Sequence, residues 1–181
     1  FFDVLTGLPN RRMLMDRLQW SIRDCRQRAS FAALLFIDLD NFKDLNDSLG
    51  HQQGDRLLCE VGKRLLASVR SGDVVARFGG DEFVILVEHL GAVREQAESH
   101  VRAVVEHLIG RFHQPFALAG GAYYSTPSIG VTVFGDEEEH TAEELLKRVD
   151  MVMYEAKSAG RNTQRFFDPK MQAVVNARAH L

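Results

Sequence analysis

Gly79 and Gly80 are followed directly by Asp81 and Glu82, and the four stand between two apolar runs, residues 74–76 and 83–87. A Gly-Gly step between strands is a hairpin signal, because the primed turns that join twisted strands need positive φ. A polar-tipped hairpin accounts for the glycines but not for two adjacent acids, whose like charges repel unless something cationic lies between them. A divalent cation would accept both. A third acid, Asp38, closes the apolar stretch of residues 31–37, so one sheet edge could gather Asp38, Asp81 and Glu82. All-oxygen ligation of that kind suits Mg²⁺, which keeps several waters and is often completed by substrate phosphates. Basic groups suited to a nucleoside triphosphate are present at Lys43, Lys157 and Arg161, the last two four residues apart and so on one helix face. Basic residues at a helix C-terminus also offset the helix dipole, which is the simpler reading of that pair.

The elements that must position these groups are readable from periodicity. Leu14, Leu18 and Ile22 recur at helical spacing after Asn10, a good N-cap, which predicts a helix over Arg11–Arg28. "FAALLFIDLD" reads as a buried strand ending in Asp38 and Asp40, and "NFKDLNDSLG" as a turn or short helix. Helical spacing of Leu57, Leu58, Val61, Leu65 and Val69 predicts a second long helix over residues 53–69, and "REQAESHVRAVVEHLIGRF" a third. "QPFALAGGAYYSTPSIGVTVF" offers at least two strands around Gly120 and Gly121. A last helix opens on a Thr141–Glu144 capping box and closes at Gly160, and "NTQRFF" is a final short strand. Hairpins with helices returning between them imply an α/β (α+β) fold: a mixed or mostly antiparallel central sheet with helices on its faces. The acidic run Asp136, Glu137, Glu138 and Glu139 reads as a solvated loop.

With 181 residues, the chain has the size of one domain. Its 45% hydrophobic and 26% charged residues fit a soluble globular protein, and a net charge of -3 gives no sign of a surface for a nucleic-acid polymer. Cys25 and Cys59 have no partner at metal-ligand spacing and read as reduced thiols of a cytoplasmic domain. No run of eighteen apolar residues is present; membrane anchorage of a longer parent protein is a separate matter.

Four blocks, "DVLTGLPNRR", "FIDLDNFKDLNDSLGHQQGD", "RSGDVVARFGGDEF" and "DMVMYEAKSAGRN", stand in this order and reach across the chain. Together they resemble the GGDEF family of diguanylate cyclases. The resemblance implies a five-stranded sheet wrapped by helices, related to nucleotide cyclases and palm-type polymerases. It also implies condensation of two GTP into cyclic di-GMP and two pyrophosphates with Mg²⁺ or Mn²⁺, two ions per site. Carried onto this sequence, it makes Asp38, Asp81 and the Leu39 carbonyl metal ligands, with Glu82 a ligand or supporting carboxylate and Asp81 the general base. Asn46 and Asp55 match guanine-edge positions as a buried pair. Phe42 and Lys43 lie beside the triphosphate, with Lys43 also counted among the catalytic groups, and Lys157 and Arg161 contact the γ-phosphate. His51 and Gly54 belong to the same block, and Gly79 and Gly80 bring backbone close to the nucleotide.

One site per domain means that two GTP meet only when two domains face each other, so a homodimer is the implied active species. Arg70 and Asp73 form an RxxD separated from Gly79 by five residues, which matches the family's inhibitory product site; at about 3.3 Å per residue it lies roughly 20 Å from the metal ligands. A solvated salt bridge is the plain alternative, and Arg102 is a possible further arginine of the site. Residues 1–167 are expected to form the cyclase domain and residues 168–181 a tail or linker toward a following EAL-type phosphodiesterase domain, with a sensor on the N-terminal side. A second reading is a GTP-binding regulatory module that controls such a phosphodiesterase.

Overall fold

The computed structural model describes residues 1–135 and 139–167. Five helices, α1 Arg11–Arg28, α2 Phe42–Leu49, α3 His51–Ala67, α4 Arg94–Phe112 and α5 Ala142–Ser158, alternate with strands β1 Phe31–Leu39, β2 Val74–Gly79, β3 Glu82–Val87, β4 Phe116–Leu118, β5 Gly121–Tyr123, β6 Pro127–Gly135 and β7 Thr163–Phe166. Five strands form one sheet in the order β2-β3-β1-β6-β7, and β4 and β5 make a separate two-stranded ribbon. All neighbours in the main sheet run antiparallel except β6 and β7, which are parallel because α5 crosses over between them.

β1 lies at the centre, and every one of its residues is buried. Its alternation sends Phe31, Ala33, Leu35, Ile37 and Leu39 toward α3 and α4, and Ala32, Leu34 and Phe36 toward α1 and α5. Three layers result, helix pair, sheet, helix pair, as the alternation of strands and helices in the sequence led one to expect. The layer of α5 sits close to the sheet because Gly130 on β6 has no side chain: a Cβ there would overlap the Val149 carbonyl and the Met153 backbone. α5 therefore carries Lys157 down onto the end of β1.

The helix ends follow their capping chemistry. Met13 N–H donates to Asn10 Oδ1 at 3.1 Å, and Thr141 and Glu144 form the reciprocal capping box. The helix expected over residues 53–69 begins two residues earlier and stops two earlier, since Gly50, at φ +92°, breaks the chain between α2 and α3 and lets α3 start at once. Among the described residues no helix is long and apolar enough to cross a membrane. Cys25 and Cys59 are unpaired, and burial pushes the Cys25 thiol up to about 11, which makes it a core group and not a nucleophile. The acidic stretch at Asp136, Glu137 and Glu138 and the tail of residues 168–181 lie outside the described residues.

Candidate nucleotide and cation site

The β2–β3 hairpin turns through Gly80 and Asp81, with a bulge between Arg77 and Gly79. Gly79 and Gly80 take φ of +132° and +53°, conformations that an L side chain rarely adopts. Arg77 clamps the turn: its Nε and Nη2 donate to the Gly80 carbonyl at 3.1 and 2.9 Å, while Nη1 reaches Asp3 Oδ1 at 2.8 Å. Asp3 also accepts from the Thr6 amide and hydroxyl. Burial alone would raise the Asp3 carboxyl, but these Thr6 bonds and the Arg77 guanidinium hold it below its usual range. The first sequence block thus buttresses the turn that presents Asp81, a link that pattern reading did not find.

Asp38 stands at the end of β1, paired in register with Glu82 on one side and Ser128 on the other. It is 7% exposed. Burial pushes its carboxyl up to about 7; the Lys157 ammonium opposes the shift and the neighbouring Asp81 adds to it. Lys157 Nζ lies 2.8 Å from Asp38 Oδ1, yet that oxygen is buried without an aligned hydrogen bond. Glu82 is also raised, by burial and then by Asp150 and Asp81. Asp150 belongs to α5, so Glu82 has a carboxylate neighbour besides Asp81.

Asp38 thus has Asp81 as a charged neighbour and Glu82 as its register partner, and Glu82 has Asp81 beside it. Among the described residues no three Asp, Glu, His or Cys side chains form a group that could hold a metal. Asp38 and Asp81 are neighbours whose charges act on each other, Asp38 Oδ1 is buried with only Lys157 as its counter-charge, and Leu39, whose amide donates to the Asp81 carbonyl at 3.2 Å, lines the same cleft as Asp81. Two carboxylates and a carbonyl fit Mg²⁺ or Mn²⁺, whose remaining positions water and phosphate oxygens commonly fill.

That cleft, about 250 Å³, is lined by Leu39, Asn41, Phe42, Lys43, Asp44, Asp81, Lys157 and Arg161. It brings together Phe42, Lys43, Lys157 and Arg161, which the sequence assigned to the triphosphate, with Asp81. A second hollow of about 190 Å³ shares Asn41 and Phe42 and continues past Leu45 to Tyr124 and Thr126. On the α2–α3 side, Asn46 Oδ1 is buried with no partner, and a Cβ on Gly54 would overlap it. Gly54 is glycine to leave room for the Asn46 amide. His51 and Asp55, in the first turns of α3, are exposed. Asn46 and Asp55 are thus not a buried pair: Asp55 is exposed and only the Asn46 oxygen is enclosed.

At the far end of β2, Asp73 is a pinned residue and not part of a solvated pair. Its side chain is 2% exposed, and it accepts from the Arg70 amide at 3.1 Å and the Glu88 amide at 3.2 Å. The Arg70 guanidinium lies 3.6 Å from Asp73 and donates to the Glu88 carbonyl. A hollow of about 370 Å³ beside Arg70 is walled from α4 by His100 and His107, and Arg102 does not line it.

The family described as "Diguanylate cyclase, GGDEF domain" matches residues 1–163. The bifunctional diguanylate cyclase/cyclic di-GMP phosphodiesterase MucR of Pseudomonas aeruginosa is 42% identical over 179 residues, which are 99% of this chain and 25% of that protein. The cyclic di-GMP phosphodiesterase NbdA of the same organism is 38% identical over 180 residues, 99% of this chain and 22% of its own length. Among solved structures, the isolated GGDEF domain of TpbB, also from Pseudomonas aeruginosa, superposes with a TM-score of 0.84 at 32% identity, covering 97% of this chain and 99% of that one. The chain spans about a quarter of the length of the first two relatives. It belongs to the GGDEF family of diguanylate cyclase domains.

Proposed function

We propose that this chain binds GTP with Mg²⁺ or Mn²⁺ in the cleft between β1, α2 and α5, and that two copies facing each other condense two GTP into cyclic di-GMP. The observation that carries this reading is the convergence of Lys43, Lys157 and Arg161 on a cleft that also holds Asp81, next to the buried Asp38. Three cations suit the charge of a triphosphate and of the departing pyrophosphate. The enclosed Asn46 oxygen lacks a donor and would accept one from the guanine edge.

In this reading Asp81 takes the proton from the 3′-oxygen of one GTP as that oxygen attacks the α-phosphorus of the other. A 3′-O–P bond forms, the bond to the β-phosphate bridge breaks, and pyrophosphate leaves; the same step in the opposite sense closes the ring. When bound, the divalent cations, up to two per site, make the hydroxyl more acidic and offset phosphoryl charge. Asp38, Asp81 and Leu39 would hold them, with Glu82 alongside. With a cation held at Asp38, the Lys157 ammonium would be free to serve the phosphate chain. His51 and Asp55 stand at the open rim on the base side.

The relatives join a domain like this one to further segments, so residues 168–181 are read as a linker toward a following phosphodiesterase domain of the EAL type. A sensor on the N-terminal side would govern dimerisation, and Arg70 and Asp73 form the product-inhibition site. The similarity to NbdA, which carries a phosphodiesterase name, favours keeping one second reading: a GTP-binding module that controls such a partner. Incubation of the purified chain, fused to a dimerising coiled coil, with GTP and Mg²⁺ tests the choice. Cyclic di-GMP is the expected product; GTP binding without product in a geometry that lets the two sites meet would establish the regulatory reading instead.

A further inference from the structure

Asp40 follows Asp38 by two residues, yet it does not line the cleft of Lys43, Lys157 and Arg161; it lies in the wall of the adjoining second hollow. It is 6% exposed. Its Oδ2 accepts from the Thr126 hydroxyl and from the Asn162 backbone amide, both at 2.7 Å, and its Oδ1 from the Ser128 hydroxyl at 2.6 Å. Its own amide donates to the Thr126 carbonyl at 2.8 Å. One carboxylate therefore joins three segments: the end of β1, the entry to β6, and the connection from α5 to β7.

That connection is conformationally costly. Arg161 and Asn162 both have left-handed backbone, φ +65° and +43°, directly after Gly160 at +109°. Asn tolerates this region, whereas Arg has no special reason to occupy it. Two backbone hydrogen-bond donors hold the segment there: Arg161 N–H donates to the Ala156 carbonyl at 3.2 Å, and Asn162 N–H to Asp40 Oδ2. Arg161 lines the same cleft as Lys43 and Lys157. Released from Asp40, the turn would relax toward right-handed or extended backbone and carry the Arg161 side chain away from the cleft.

We infer that Asp40 is a positioning residue for triphosphate recognition, acting through the Arg161–Asn162 turn. This rests on the reading of Arg161 as a triphosphate contact. The carboxylate is already filled by three donors and is left out of the cation site. An acid suits this place because the Asn162 amide can only donate; the two hydroxyls can also turn to accept. Asp40→Asn can thus keep its amide oxygen on Thr126 and Asn162 while its NH₂ donates to Ser128, and it serves as the conservative control.

The test compares binding of α,β-methylene-GTP, which cannot react at the α-phosphorus, with binding of GMP by calorimetry. Asp40→Ala should weaken the triphosphate on the order of tenfold, the scale of a lost hydrogen bond to a charged group, and leave GMP unchanged. Asp40→Asn should retain most of the affinity. In an Arg161→Ala background, Asp40→Ala should add nothing, since both act on one contact. Equal weakening of the two nucleotides, or additive losses in the double variant, would overturn the inference while leaving the triphosphate role of Arg161 standing. An Arg161→Ala protein with undiminished affinity would overturn both. If Asp40→Ala does not fold, amide exchange on the unaltered chain decides: the Asn162 amide should be protected although its residue is exposed, and exchange at the rate of an open turn would sink the proposal.

Discussion

Lys157 on α5 places its ammonium 2.8 Å from Asp38 Oδ1 at the end of β1, tying the basic helix end to the acidic strand end before any nucleotide is considered. Even with that cation beside it, burial and Asp81 push Asp38 up to about 7. A carboxyl raised in the folded state binds a proton more tightly folded than unfolded, so its contribution favours folding at low pH. That contribution fades as pH rises from the ordinary value of 3.8 through about 7. In chelator-treated protein, denaturant unfolding at pH 5 and pH 8 should show the parent losing stability relative to Asp38→Asn across this window. A parent and variant that change in parallel would mean that Asp38 is ionised throughout.

Asp3 has the opposite sign. Its folded carboxyl is held low, so the stability it brings is present above 3.8 and is lost as pH falls through its lower folded value. Its partner Arg77 holds the Gly80 carbonyl, and Arg77→Met should loosen the turn while sparing the core. Turnover is expected to fall by at least about tenfold, as a modest displacement at a reacting centre commonly costs more than that. Full activity in the Arg77→Met protein would show that the turn keeps its shape unaided.

Asp81→Asn should nearly abolish turnover with the fold intact, since Asp81 lies on a hairpin tip outside both core clusters. Removing a general base or an electrostatic group of this kind costs roughly 2 to 4 orders of magnitude in rate. A rate within a factor of two of the parent would remove Asp81 from the mechanism.

Much of this site was legible because its positions are tied to local signals. The Asn10 cap, the four-residue recurrence of Leu14, Leu18 and Ile22, and the glycines at 79 and 80 each specify structure within a few residues, and α1 and the β2–β3 hairpin sit where those signals put them. The clustering of Lys43, Lys157 and Arg161 was legible from the family pattern but not from spacing, which also allowed simple dipole compensation. What escaped reading depends on partners far along the chain. Arg77 and Asp3 are 74 residues apart, and Asp40 and Asn162 are 122 apart. No periodicity reports such pairs. Exposure at a helix start was equally hidden: helical spacing could not say that Asp55 is exposed while the side-chain oxygen of Asn46, on α2, is enclosed.

Base choice should depend on that enclosure. Asn46→Ala is expected to weaken GTP binding by about 1 to 3 kcal/mol more than ATP binding, the scale of unpaired polar groups. Gly54→Ala makes the sharper test, since its added methyl would overlap Asn46 Oδ1 and drive the amide out of place without removing it. Both variants should lose discrimination to a similar extent when GTP and ATP are titrated in parallel. Equal weakening for the two bases would point to a general disturbance of the α2–α3 corner.

Arg70 and Asp73 lie just ahead of β2, at the end away from the Gly79–Gly80 turn. Arg70 is 46% exposed and rests on the Glu88 carbonyl, whereas Asp73 is locked by two amides, so a ligand arriving here can recruit the arginine but finds the acid already committed. Arg70 is therefore the member of the pair that should carry recognition, since its guanidinium can offer a fork of donors to a guanine edge or a phosphate. Asp73 acts mainly by holding the turn. Two different failures follow. Arg70→Ala should lose cyclic di-GMP binding and product inhibition with unchanged melting, while Asp73→Ala should lower the melting temperature, because it strands the Arg70 and Glu88 amides. Calorimetry with cyclic di-GMP together with thermal unfolding of both variants separates the roles. Undiminished binding to Arg70→Ala would reduce the motif to a structural turn, and an Asp73→Ala protein that melts like the parent would show that its buried bonds contribute little.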